Sequence, residues 1–316
     1  MHDARQYYAP NPETPPPKAR GILLPDGTIH PLAFALMVLV TVFFAYQIVG
    51  GVLSVLLFGF PAWESIQGMR IATVVSQVVF LLVPAVFLLR LQPWPLREAL
   101  RLHRPRFWPM VLVVLSVVAA QFGLQAVMEV QQYALREHLL PDALLPFLDK
   151  CEQLLDSVYS SLLIMRTPVE ALFVLLVVAV TPAICEEVLF RGTVMYSLER
   201  AVRVRWALLL SGVIFAAFHL NPVTFIPLAF LGTWLSVVAW RGNSIAYAIA
   251  GHLANNTIAV VSLYLFKADQ LLPSATDGSF PLAAMSLGLG IGFPVFCLLA
   301  ALFWSATKPM KNSFVL

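Results

Sequence analysis

Between Leu172 and Leu198 the chain holds an apolar run long enough to cross a bilayer, and inside it lie Glu186, Glu187 and Arg191. In lipid each such charge at a helix centre costs roughly 2.5–3.5 kcal/mol before any pairing. Three of them in one span mark a candidate functional site, so the rest of the sequence is read for what it brings to meet them.

Comparable apolar runs recur along the 316 residues. Only 12% of them are charged, against about 25% in a typical soluble domain. With 59% hydrophobic residues and a mean hydropathy of +0.82, this is an all-α polytopic membrane protein. About eight transmembrane helices are expected around a polar intramembrane active-site cavity: near 32–58, 71–91, 110–128, one from 168 carrying the charges, then 206–220, 223–240, 244–266 and 281–304. The domain reading is a polar, proline-rich cytoplasmic tail (1–30), three N-terminal helices (31–130), a segment at 131–167, a catalytic transmembrane core (168–306) and a C-terminal tail (307–316). In 131–167, Glu137, Asp142, Asp149, Glu152 and Asp156 alternate with leucine-rich patches. That pattern suits amphipathic helices on the membrane surface, with an ordinary loop as the alternative. The tail lacks the apolar region of a signal peptide, so the first span is expected to be retained.

Fourteen of the twenty lysines and arginines fall on the side of the two termini and five on the other, Arg191 being set aside. The positive-inside rule then puts both termini in the cytoplasm. A net charge of +3 is ordinary for such a protein and implies no nucleic-acid partner. Cys151, Cys185 and Cys297 have no ligand spacing; Cys185 reads as a packing residue.

His219 and His252 fall within spans, where a histidine needs a reason. Glu187 and Arg191 are four apart with the carboxylate first, the better orientation for an ion pair on one helix face. Glu186 points about 100° away and is left as the available general base. The alternative is that both carboxylates share Arg191. His252 and Asn256 are again four apart, as are Phe215 and His219. Pro182 cannot donate to the carbonyl of Val178, so the helix should loosen just before the carboxylates. At 1.5 Å per residue, Glu186, His219 and Asn256 each lie about 20 Å from the nearest arginine on the termini's side, with His252 one turn shallower. In a core about 30 Å thick they share a level near or just beyond the midplane.

Glu186-Glu187-x-x-x-Arg191, Phe215-x-x-x-His219 and His252-x-x-x-Asn256, in that order on three separate helices, resemble the motifs of the type II CAAX prenyl endopeptidase (CPBP, or Abi) family of intramembrane proteases. The resemblance covers about residues 168–266. It implies hydrolysis of a peptide bond by a glutamate-activated water: Glu186 and His219 would activate the water, and His252 and Asn256 would stabilise the oxyanion. Glu187 and Arg191 are then the structural pair and Phe215 a packing residue. No cofactor is expected, with zinc on Glu186, His219 and His252 as the alternative. The expected partner is a membrane-anchored or lipidated protein substrate in the bilayer. The excess of arginine over lysine, with abundant alanine and proline, suggests a bacterial inner membrane. In that setting the substrate would be a C-terminal sorting signal or a bacteriocin-type precursor rather than a prenylated CAAX protein. A proton-coupled transporter using Glu186, His219 and His252 as a relay is the competing reading, disfavoured by the lack of an internal repeat. A non-catalytic immunity or scaffold protein is a third, disfavoured by the complete set of motifs.

Overall fold

The computed structural model describes residue 23 and residues 28–58, 66–266 and 282–308. The tails expected at 1–30 and 307–316 lie outside these residues except for 23, 28–30, 307 and 308. The chain is all-α: α1 (Pro31–Phe58), α2 (Ile66–Leu89), α3 (Phe107–Leu139), α4 (Leu145–Leu162), α5 (Pro168–Leu198), α6 (Val204–Phe218), α7 (Phe225–Gly242), α8 (Ile245–Phe266) and α9 (282–306). Among the described residues no strand forms beyond an isolated bridge between Leu23 and Ile29.

Six helices (α1, α2, α3, α5, α7 and α9) are long and apolar enough to cross a membrane. The eight expected spans all appear as helices, α6 having only 15 residues. Among the described residues, length and composition support six crossings, with α6 as a further, shorter apolar helix. The outer surface is apolar, with Leu36, Leu56, Phe87, Phe122, Leu172 and Leu298 all exposed. A soluble protein rarely shows so continuous an apolar coat; against lipid it is the stable arrangement.

The third helix is longer than its apolar pattern suggests. Residues 131–139, expected to belong to the surface segment, continue α3. Gln131 holds this extension against the α7 end of the bundle: its amide donates to the Pro222 carbonyl, and its Oε1 accepts from the Ile226 N–H. Arg136 then pairs with Asp149 (2.8 Å) and Glu152 (2.6 Å), folding α4 back onto the end of α3.

Two apolar clusters build the core. One joins α1, α2, α5 and α6 through residues such as Phe34, Leu81, Leu189 and Phe215. The other joins α3, α7, α8 and α9 through Val117, Leu235, Tyr247 and Phe303. The seam between them, where α5 and α6 meet α7 and α8, is where the polar groups gather.

Helices α6 and α7 are joined by a tight turn containing Leu220 at φ 51°, and they cross at Gly212 and Gly232. Close approach through small residues is a recurrent means of helix packing in membranes. A Cβ on Gly232 would lie 3.0 Å from the Gly212 Cα, and one on Gly212 would collide with the backbone nitrogen of Thr233. Backbone cannot yield as a side chain can, so Gly212→Ala must part the two helices. We expect a loss of about 1–3 kcal/mol, read as a fall in unfolding temperature in detergent. An unchanged temperature would show that the crossing tolerates a methyl group.

Candidate active site

Local helix geometry prepares α5 for its charges. Two wide, π-type turns, Leu176–Val180 and Val188–Val194, bracket the regular segment Thr181–Glu187. Such widened turns also occur in α1, α2, α3 and α9, so the site is marked by its side chains rather than by the turns. Pro182 lacks the N–H that would pair with the Val178 carbonyl. That carbonyl instead accepts from Asn256 Nδ2 on α8 at 2.9 Å. The break in α5 is thus closed by a residue of the third motif, and α8 is tied to α5 at the level of the site.

Arg191 is buried and makes hydrogen bonds on two sides through its two Nη groups. Its Nη1 donates to Glu187 Oε1 at 2.7 Å, with neither side chain exposed, and its Nη2 donates to the Gly232 carbonyl at 2.8 Å. The bare backbone at Gly232 gives the guanidinium access to that oxygen. The guanidinium also lies over the Phe215 ring, 4.7 Å from its centroid. From the other end of the span, Arg101 Nη1 donates to the Arg191 carbonyl and its Nη2 meets both Glu199 oxygens, at 2.5 and 2.7 Å.

Glu187 has a second partner that its helical spacing does not reveal: Oε1 also meets His252 Nδ1 at 2.8 Å. A carboxylate already paired with arginine only accepts, so Nδ1 carries the proton and the Nε2 lone pair is free to face inward. His219 is set the same way. Its Nδ1 lies 2.8 Å from the Phe215 carbonyl, one turn back, and a carbonyl only accepts. Phe215 packs against both imidazoles, with ring centroids 4.7 Å from His219 and 5.6 Å from His252. The aromatic of the second motif is therefore the spacer between the two histidines and the floor beneath Arg191.

Glu186 stands apart from this web. Its Oε2 lies 4.0 Å from His219 Nε2 and 4.0 Å from His252 Nε2. That oxygen is buried and has no hydrogen-bond partner in the protein. Three acceptors from three helices converge on one small space too wide for direct bonds between them. The side-chain exposures, 25% for His219, 13% for Glu186 and 3% for His252, make the His219 side the approach. Cys185 is buried in the first apolar cluster and contributes packing.

Polar residues outside the motifs also reach this region. Gln47 on α1 donates to the Phe218 carbonyl at 2.9 Å, bracing the end of α6 beside His219. Asn255 Nδ2 donates to Asn256 Oδ1 at 2.9 Å, and Gln121 Nε2 on α3 donates to Asn255 Oδ1. Reading the sequence by motif passes over all three. The available signal was a polar residue inside an otherwise apolar span, most plainly Gln121, Gln125 and Glu129 at four-residue intervals along α3.

No curated protein and no solved structure matches the chain significantly. A family model, described as type II CAAX prenyl endopeptidase Rce1-like, does match at residues 168–258, the stretch that contains all three motifs.

Proposed function

We propose that this membrane protein is an endopeptidase that hydrolyses a peptide bond of a membrane-anchored substrate with a water activated by Glu186. The observation that carries the reading is the convergence of Glu186 Oε2, His219 Nε2 and His252 Nε2, two of its sides 4.0 Å long. Glu186 Oε2 and His219 Nε2, 4.0 Å apart, can take the two protons of one water placed within hydrogen-bond reach of both.

In the proposed reaction Glu186 takes a proton from the water as its oxygen attacks the carbonyl carbon, and His219 Nε2 orients the water for that attack. The carbonyl oxygen becomes an oxyanion. The Asn256 Nδ2 proton not bonded to Val178 is a donor for it, fixed by α8 and by the α5 carbonyl. His252 donates from Nε2 only when doubly protonated, and the Glu187 carboxylate at Nδ1 compensates that charge. Collapse of the tetrahedral intermediate breaks the C–N bond, and the proton held by Glu186 passes to the leaving amine. Glu187, Arg191 and Phe215 hold the groups that react.

The same three side chains are the zinc alternative. Tetrahedral bonds of about 2.0 Å set ligand atoms about 3.3 Å apart, which is tighter than the 4.0 Å separations here. We therefore assign the space to water. Cleavage by the purified protein is expected to survive prolonged chelation and to show no stoichiometric zinc in the active preparation. Loss on chelation with recovery on adding zinc would reverse this assignment.

The proposed substrate bears its scissile bond near its C-terminus or within its membrane-embedded part. A prenylated CAAX protein is the substrate class in the family's description; for a bacterial inner-membrane protein with cytoplasmic termini, a C-terminal sorting signal or bacteriocin-type precursor takes its place. The test is a panel of prenylated and unmodified C-terminal peptides and single-span proteins, presented in liposomes to wild type and His219→Ala. Cleavage by wild type, lost in the variant, is expected for one class. Undiminished cleavage by the variant would remove His219 from the water site.

A further inference from the structure

Four polar groups form a directed chain across the second half of the bundle. Gln121 on α3 donates to Asn255, Asn255 donates to Asn256, and Asn256 donates to the Val178 carbonyl that Pro182 left open. Each asparagine offers its oxygen to the group before it and its nitrogen to the group after it. We propose that Gln121 is a positioning residue for the reaction: acting through Asn255, it fixes which end of the Asn256 amide faces Val178 and the reacting carbonyl.

The reason lies in how donors and acceptors count along the chain. Val178 O can only accept, so the Asn256 nitrogen belongs there. Two amides between a donor at one end and an acceptor at the other can satisfy every contact in one orientation. Two amides between acceptors at both ends cannot. One contact must then set oxygen against oxygen, and the chain is free to fail at Asn256 by turning its nitrogen away from the site. An unsatisfied contact in a partly buried network is costly, so the polarity of its far end matters. Nothing in the three motifs assigns Gln121, which lies on a helix outside the matched domain.

The inference rests on the proposed role of Asn256, and the test separates the two. Cleavage of the best peptide would be followed in liposomes for wild type, Asn256→Ala, Gln121→Leu and Gln121→Glu, across the pH range in which each stays folded by thermal unfolding. In Gln121→Glu the introduced carboxyl donates when protonated, as the amide does, and only accepts when ionised. The expected profile follows wild type on the acid side, then loses about tenfold in kcat, at constant KM, as pH rises through a new inflection. Gln121→Leu, which removes the donor without adding an acceptor, is expected to be a few-fold slower at every pH. Asn256→Ala is expected to lose roughly 10²–10³ in kcat. Titrating groups already on or near α3 (Glu129, Tyr133, Arg136, Glu137 and His138 on the helix itself; Tyr247, His252, Tyr264, Arg241 and Cys297 on α7, α8 and α9) are shared with wild type, whose profile is the control. Gln121→Glu parallel to wild type at all pH, or uniformly slow with no new inflection, alongside an impaired Asn256→Ala, would overturn the positioning role alone. A fully active Asn256→Ala would overturn both the role of Asn256 and the chain that serves it.

Discussion

Glu186→Gln is expected to abolish cleavage while leaving the folded protein intact. The loss should approach 10³-fold, within the 10²–10⁴-fold range of a positioned general base. Stability should change little, because Arg191 is paired directly with Glu187 and the two imidazole nitrogens near Glu186 lie 4.0 Å away. The amide is nearly isosteric with the carboxylate, but it reverses the chemistry of the space. A nitrogen now donates where protons were accepted, and the water loses the group that takes its proton. Turnover and unfolding temperature measured on one preparation check both halves. Cleavage at the wild-type rate would end the catalytic assignment of Glu186.

The contrast with Glu187 gives this prediction its force. Two adjacent glutamates on one helix differ by about 100° in direction, and here that rotation separates two kinds of work. Glu187 Oε1 accepts from Arg191 and from His252 and is wholly buried, whereas Glu186 keeps a partly exposed side chain turned to the histidines. The four-residue step from Glu187 to Arg191 was legible in the sequence, because both ends belong to one helix. The His252 contact was not: it depends on how α5 and α8 are rotated about their own axes, which no within-helix spacing encodes. The same division holds elsewhere. The loosened Val178 carbonyl follows from Pro182, but its partner, Asn256, comes from 78 residues away. The extension of α3 to Leu139 runs past the point where its apolar pattern ends, because Gln131 and Arg136 find polar partners on other elements. Local periodicity therefore gave the helices and the within-helix pairs, and inter-helix polar contacts supplied what it left out.

Arg191→Ala is the complementary case, with folding rather than turnover as the expected casualty. The substitution strands Glu187 with an unpaired buried charge, removes the donor to Gly232 O and takes the cation from the face of Phe215. Breaking a buried pair from one side costs roughly 3–5 kcal/mol, a large share of the roughly 5–15 kcal/mol that holds a domain together. Little folded protein should accumulate, and what does should unfold well below wild type. Replacing both partners, Glu187→Leu with Arg191→Leu, removes the stranded charge, and apolar replacement of a buried pair is often neutral or stabilising. That double variant is expected to fold yet cleave slowly, since His252 Nδ1 has lost the carboxylate that holds its ring. Recovery of protein without recovery of activity would separate the two duties of Glu187, anchoring a charge and aiming a histidine. If Arg191→Ala alone accumulates to wild-type levels, unfolds at the wild-type temperature and is inactive, then the guanidinium acts on the reaction itself and belongs with Glu186.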